Sequence, residues 1–557
     1  MSLPQFDTQS SLFGSVLSLT KGLFTEEDRY LLFATKIWPV LAGSRSELEK
    51  CYCPDNGRAG IEPVLLMGVL IFQFLERLPD RQAVETLKYH LGWKLALNVD
   101  LDARSFHHTT LVYFRQRLVD NEQAALAFRG VLDALQAEGL VPKKGRQRLD
   151  STHVIGLVAR LSALECVRET LRLALEELGD KIPESERPDF WPLFWERYVE
   201  NKLDYKSGEA VLKAKQRQAG EDIQRLLKWL EPLAADARDG RQVSLLTKVF
   251  CEQYEITAET GAVERVKVHA AGVVINPHDP EAHWCAKGQG KAKKDWVGYK
   301  VQVAESMGKS PEEKGEPERN FLTSVITQGA TESDEAGLRA TMETQSKAGL
   351  EAPAELYADG AYISAAALAQ AGKEGRELLG PAQMSAHKGT GFRTEDFDVH
   401  VEERRAVCPA GKENTQCSSL EEKQTGKVSY RFEWSTHCPN CPLRGQCVGE
   451  NQKHRTLVVG EHHTILQERR REQQTEAFAE RMKARNGIEG TQSELVRAHG
   501  LRRARYRGRA KLDLQNQFIG AACNIKRWLK RIVWEIKQDA ARLRAALNIE
   551  TQAPCGA

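Results

Sequence analysis

The sequence contains no run of roughly eighteen apolar residues, so no stretch of it reads as a bilayer-spanning helix. Its most apolar segment, Ile61–Leu75, is too short to span and reads as a buried helix, with Pro63 suited to the first turn. Net charge is almost absent, since 79 Lys+Arg oppose 77 Asp+Glu. Attraction to a polyanion must therefore come from local asymmetry. A secretory start is also missing: Met1-Ser-Leu-Pro-Gln-Phe-Asp has no basic region followed by an apolar one, which predicts a cytoplasmic protein. A disulfide framework is not expected either. Twelve cysteines in 557 residues, several in short-spaced groups, point to reduced thiols and metal ligation. What is present is ample core material, with 41% hydrophobic residues and length for about three or four domains.

The missing charge asymmetry appears locally. Residues 481–545 hold 17 Lys+Arg against 5 Asp+Glu. Arg497, Arg502, Arg503, Arg505, Arg507, Arg509 and Lys511 crowd into 15 residues, with Glu489 at the head of the run. Such a run repels itself unless it faces an anion, and a polyphosphate is the obvious one. A carboxylate at its edge is useful to a phosphodiester mainly if a metal ion bridges the two. The plainer reading of the run is a solvated helix face.

Along the chain, 58–135 is helical in pattern, with Asp80 as a candidate N-cap and a further helix opening at Ser105. The paired His107 and His108 point to different helix faces and are not expected to chelate one metal. Gln147–Ile155 is β-prone with Asp150 in its middle, where an acid is disfavoured; an edge strand facing water is the plain alternative. Residues 156–236 return to helical periodicity, and the aromatics of Phe190–Trp195 read as core. Strand character resumes at 265–270, 296–304 and 321–328, with 306–319 as a surface loop. A helix follows at 334–349. Glu355–Ile363 is another short strand, with Asp359 where sites tend to lie in α/β folds.

The stretch 384–460 is polar and carries Cys408, then Cys438-Pro-Asn-Cys441 and Cys447. A C-x2-C knuckle with two further cysteines is a zinc-ligand signature, with Cys417 or His437 as substitutes. Bound zinc would fold a segment otherwise too polar to pack. Leu466–Glu489 reads as one long polar helix and 512–547 as an amphipathic helix pair. Asp150, Asp359 and Glu489 are hard oxygen donors on separate elements, suited to Mg2+ on either side of a phosphate.

These motifs, in this order, resemble the DDE-class transposases of bacterial insertion sequences, and most closely the insertion-sequence group eleven-eighty-two. The residues that carry the resemblance are Leu149–His153, Val274–Glu281, Trp296–Val301, Ala358–Tyr362, the cysteine set, Gly487–Gly490 and Gly500–Gly508. The resemblance covers roughly 55–545 and implies an α+β multidomain protein. Its RNase H-like mixed sheet would have flanking helices, be interrupted by a helical and a Cys-rich insertion, and follow an all-helical domain. The implied division is an N-terminal segment 1–57, a helical transposase domain 58–140, a first core part 141–155, a helical insertion 156–240, core 241–383, the Cys-rich insertion 384–460, C-terminal helices 461–547 and a tail 548–557.

It further implies that Asp150, Asp359 and Glu489 form a triad holding two Mg2+ ions, or Mn2+ in their place. Structural Zn2+ would sit on Cys408, Cys438, Cys441 and Cys447. Arg485, Arg497, Arg502, Arg503, Arg505, Arg507 and Lys300 would contact double-stranded DNA at the terminal repeats and target, with the chain a homodimer on DNA, cytoplasmic and bound to the nucleoid. One departure stands out. Related transposases often carry a tyrosine three residues before the equivalent of Arg485, where this chain has Met482. A catalytically silent DNA-binding derivative and a simple RNase H-like nuclease are the competing readings.

Overall fold

The computed structural model describes residues 15–20, 22–53, 60–202, 207–267, 271–288, 293–308, 315–384, 391–422, 426–449 and 451–546, and Leu3. The tail 548–557 lies outside the described residues, as do 268–270 of the strand expected at 265–270 and 309–314 of the expected loop. The four longest helices of the N-terminal part are α1 (Pro63–Leu75), α2 (Asp80–Tyr89), α3 (Thr109–Asp120) and α4 (Leu126–Ala137), with shorter helical turns such as Arg29–Leu32 and Leu91–Ala96 beside them. Helix α1 is buried over most of its surface, and the Glu62 carboxylate caps it by accepting from Val64 N at 3.2 Å. Asp80 is not an N-cap. It is the first helical residue of α2, and its carboxylate turns inward to Arg115 Nη1 (3.0 Å) and Gln73 Nε2 (2.6 Å). The helix expected from Ser105 begins at Thr109.

Strand β1 (Arg146–Ile155) leads into a helical block, α5 (Ala163–Lys181), α6 (Glu209–Leu230) and α7 (Arg241–Gln253). A capping box between Ser162 and Glu165 starts α5. Leu171, Phe194, Ile223 and Leu246 give this block its own core, with Trp191 inside it as expected. The sheet then continues through β2 (His283–Lys287), β3 (Lys294–Met307) and β4 (Leu322–Gly329), helix α8 (Asp334–Lys347), β5 (Glu355–Tyr357), α9 (Ala365–Lys373) and β6 (Glu377–Leu379).

The spatial order is β2-β3-β1-β5-β6, with β4 also paired to β3. Strands β1, β2 and β4 run antiparallel to β3, while β5 and β6 run parallel to β1 and β5 respectively. The strand carrying Asp150 is thus central and not at an edge. The class is the expected one, α+β with a mixed RNase H-like sheet and helices before and around it.

The Cys-rich stretch is not too polar to pack. Strands β7 (Gln416–Glu421), β8 (Val428–Glu433) and β9 (Thr456–Gly460) enclose Phe397, Phe432 and Trp434, each about 1% exposed or less. Its few aromatics are concentrated in one buried cluster, Phe432 from β8 with Phe397 and Trp434 beside the strands.

The helix expected over Leu466–Glu489 is broken into α10 (His463–Glu472), α11 (Glu476–Met482) and α12 (Gly487–Arg497), with a 3-10 turn at Lys483–Asn486. Thr475 makes the first break by capping α11, accepting from Phe478 N at 3.2 Å. The expected terminal pair is a single 38-residue helix, α13 (Arg509–Ala546). Gly520 lets it run close to the sheet, because a Cβ there would lie 2.9 Å from Val325 and 3.0 Å from Phe128. Phe518, Ile519 and Ile525 of α13 share one core with Phe74 of α1, Val131 of α4 and the sheet residues Val154, Val301 and Val325. Each such fully buried side chain contributes about 1.5–3 kcal/mol. The opposite sheet face, Leu149, Ala304 and Leu356, is covered by Leu338 of α8 and Leu368 of α9.

Candidate active site

Alternation along β1 puts Arg148, Asp150, Thr152 and Val154 on the face that meets α12 and α13. Strand β5 pairs with β1 as Arg146↔Glu355 through Arg148↔Tyr357. Continuing that register brings Asp359, two residues past the end of β5, beside Asp150. Asp359 caps the 3-10 turn Gly360–Tyr362 and accepts from Ala361 N at 2.8 Å. Asp150 accepts from Ser151 N (2.7 Å) and from Arg485 Nη2 (3.0 Å). Burial pushes the Asp150 carboxyl up, and the neighbouring Asp359 adds to this; the Ser151 N–H and Arg485 oppose it.

Glu489 lies in the first turn of α12, exposed, with Oε1 3.9 Å from Arg485 Nη1. One guanidinium therefore reaches Asp150 with one nitrogen and Glu489 with another. All three acids are oxygen donors on separate elements, and Asp150 and Asp359 are like charges in a half-dry setting. That donor set fits a divalent cation. Met482, where a tyrosine was the family expectation, packs instead with Tyr357, Leu379 and Phe478.

The basic run is pinned to the same strand. Ile155 N donates to Arg502 O (2.8 Å), Ala504 N donates to Ile155 O (2.9 Å), and Ile155 and Arg503 form a parallel bridge. Arg502 Nη1 donates to His153 O at 2.8 Å, and Arg505 Nη1 to Leu78 O at 2.9 Å. Burial lowers the pKa of both guanidinium groups. Arg497, Arg503 and Arg507 are exposed. At the far end the expected turn holds the run in place: Asp279 accepts from Gly508 N (3.3 Å) and from the Tyr299 hydroxyl (2.6 Å). Lys300 stands apart from the arginines. It lies on the other sheet face, where its Nζ donates to Asp334 Oδ1 (2.9 Å) and Glu332 O (2.7 Å) at the start of α8.

Two neighbours were passed over in the sequence. Lys287 and Lys294, at the tip of the β2–β3 hairpin, join burial and Arg502 in lowering His153 to about 4. Lys287 also acts on Asp150. The lysine-rich stretch Lys287–Lys294 was the available signal. The His153 ring lies 4.7 Å from that of Trp296, tilted by 33°.

Cys408, Cys438, Cys441 and Cys447 line one cavity of about 350 Å3, together with His437 and Trp434. Cys438 Sγ accepts from Arg455 N at 3.4 Å. Burial pushes the Cys447 thiol up, Arg455 opposes it, and the other three cysteines act on it. Cys417 lies opposite Phe432 in β7 and is not part of the cavity lining.

Among the described residues, three metal-ligating side chains have ligand atoms within 4.8 Å of one another only at Glu494, His499 and Cys523. Both the cysteine quartet and the three acids Asp150, Asp359 and Glu489 are more open than that. Glu494 is already bound by Lys526 (2.9 Å) and Arg527 (3.0 Å), so a cation in that cluster would meet two positive charges.

Comparison with known families gives two matches. Residues 22–117 match a transposase domain family, and residues 407–529 match the Transposase DDE domain family. The second match takes in Arg485, Glu489 and the basic run, while Asp150 and Asp359 lie between the two. No curated protein matches the chain. Two transposase family matches in one chain, flanking a mixed sheet, indicate a DDE transposase of the insertion-sequence kind.

Proposed function

We propose that the chain cuts and rejoins DNA at the ends of its own insertion sequence, with Asp150, Asp359 and Glu489 as the catalytic triad. The observation that carries this reading is Arg485 spanning Asp150 and Glu489 while the β1/β5 register sets Asp359 beside Asp150. The divalent ions that the family generally uses would be held by these three carboxylates, Mg2+ or Mn2+ as a pair. The chemistry the ions supply when bound is activation of a water or 3′ hydroxyl and stabilisation of the leaving oxygen.

The chain's own groups do the rest. Arg485 favours the ionised form of Asp150 and aims it, and its second nitrogen steadies Glu489. Exposed Arg497, Arg503 and Arg507 hold backbone phosphates, and Arg502 and Arg505 anchor the run to β1 and to the loop before α2. Partners are double-stranded terminal repeats and target DNA, bound by a homodimer of the group eleven-eighty-two type, cytoplasmic and on the nucleoid. Cys408, Cys438, Cys441 and Cys447 close on a structural Zn2+.

The test is cleavage of a donor duplex carrying the element's ends. Asp150→Asn, Asp359→Asn and Glu489→Gln each abolish cleavage and leave duplex binding near the parent level. A variant that still cuts at a comparable rate removes its residue from the triad.

A further inference from the structure

Helix α12 carries Glu489 but has little of its own to fix where it starts. Its N-cap position, Asn486, makes no side-chain cap, and in its first turn Ile488 is the buried apolar side chain. What meets this turn from below is Arg148, two residues before Asp150 on the same face of β1. Arg148 is 6% exposed and Glu305 on β3 is 0% exposed. Arg148 Nε donates to Glu305 Oε1 (2.5 Å), and its Nη1 donates to Ala484 O (3.0 Å), the carbonyl just before Arg485. The other oxygen of Glu305 accepts from Thr491 Oγ1 of α12 (2.6 Å) and from Arg527 Nη1 of α13 (3.0 Å). Arg527 Nη2 also donates to Thr491 Oγ1 at 2.8 Å. One buried carboxylate thus ties together β1, α12 and α13. Gly487 records how close the approach is: a Cβ there would lie 1.8 Å from Arg148 Nη1, on a guanidinium that its two bonds hold in place.

We propose that Arg148 is a positioning residue for the reaction, fixing Arg485 and the first turn of α12, and so Glu489, against Asp150 through Glu305. The proposal rests on the reading of Asp150 and Glu489 as partners in one metal-binding site. Arg148 touches neither acid. It acts through the Ala484 carbonyl on one side and through Glu305 and Thr491 on the other. A buried ion pair is weak evidence for stability but a good device for fixing register. Removing Arg148 also leaves Glu305 compensated by Arg527 and Thr491, so the fold should survive. What is lost is the relative placement of two carboxylates on different elements. Misplacing reacting groups by an ångström costs about 100-fold in rate, and outer partners of metal ligands cost about 10–100-fold in metal affinity.

The experiment compares full-length Arg148→Met, Arg148→Lys and Gly487→Ala with the parent in donor cleavage, duplex binding, Mg2+ titration and melting. Arg148→Met is expected to lose about 10–100-fold in kcat, to keep KM for the duplex within about twofold, and to need several-fold more Mg2+ for half-maximal rate. A lysine reaches Glu305 or Ala484 O but not both, so Arg148→Lys falls between. Gly487→Ala supplies a check independent of charge. Alanine is the better helix former, but here its methyl must displace the guanidinium, so Tm is not expected to rise and the Mg2+ shift should be reproduced. Arg148→Met with Gly487→Ala together should be no worse than the worse single change. A merely structural role would lower Tm and the active fraction without moving the Mg2+ midpoint. Wild-type rate and Mg2+ midpoint in Arg148→Met or in Gly487→Ala overturns the proposal, as does loss explained wholly by unfolding in both. Glu489→Gln run in parallel separates the two layers. If Glu489→Gln cuts, the reading of the site is wrong; if it is silent while Arg148→Met cuts normally, only this inference fails.

Discussion

Replacing Arg485 by methionine removes a charge and keeps most of the side chain's volume. The guanidinium stands 3.0 Å from Asp150 Oδ2, with the two side chains 18% and 13% exposed. At that spacing and an effective dielectric constant of about 20, the gross attraction is roughly 5 kcal/mol. Much of that is offset by desolvation and by water entering the vacated space. A hydrogen bond to a charged group nets about 1.5–3 kcal/mol. With that bond gone, the Asp150 carboxyl should hold its proton to higher pH.

Burial and Asp359 already push that carboxyl up, and after the substitution the Ser151 N–H and Lys287 remain to oppose them. The acid limb of the cleavage rate against pH should therefore move alkaline at limiting Mg2+. Saturating Mg2+ should shrink the shift, because proton and metal compete for the same oxygens. The assay is donor-duplex cleavage from pH 5 to 9 at two Mg2+ levels, with binding and melting as controls. An acid limb that stays put in a folded, DNA-binding Arg485→Met protein would refute the role given to this ion pair.

The basic run separates into two classes. Arg503→Ala and Arg507→Ala should each lower the salt slope of duplex binding by about one without moving Tm, whereas Arg502→Ala and Arg505→Ala should lower Tm as well, because each gives up a bond to a backbone carbonyl. Arg527 and Lys526, against the pull of burial, hold Glu494 at about 2, below its ordinary 4.5. Its folded pKa is depressed, so that stabilisation is present above about pH 4.5 and fades as pH falls through about 2; Glu494→Gln should lower Tm near neutrality and flatten its loss across that window in an acid melting series. Metal analysis should find close to one zinc per chain, with Tm falling in chelator; a metal-free protein whose melting ignores chelator would remove zinc from the Cys408–Cys447 cavity.

The sequence is legible where a feature is local. Apolar continuity marks α1, alternation marks β3, and the strand around Asp150 is visible despite its acid. Helix boundaries fail where side-chain chemistry cuts across periodicity. Thr475 and the 3-10 turn Lys483–Asn486 split what the pattern joins over Leu466–Glu489, and the smallness of Gly520 is a packing fit and not a break, so the expected pair is one helix, Arg509–Ala546.

The site follows the same division. Residue types and order single out Asp150, Asp359, Glu489 and the arginines, but not which arginine does what. Arg502 and Arg503 are adjacent in sequence, yet one is tied to His153 O and the other faces solvent. Lys300 sits in a conspicuous motif, and its charge is taken up by Asp334 on the far face of the sheet. Arg148 and Glu305 are invisible by any local rule, because an arginine and a glutamate 157 residues apart declare nothing until β1 and β3 pair. The acids and the cationic run of the candidate site are set by residue type and order and can be read from them. The groups that aim them are set by strand register, and register is decided by the whole sheet.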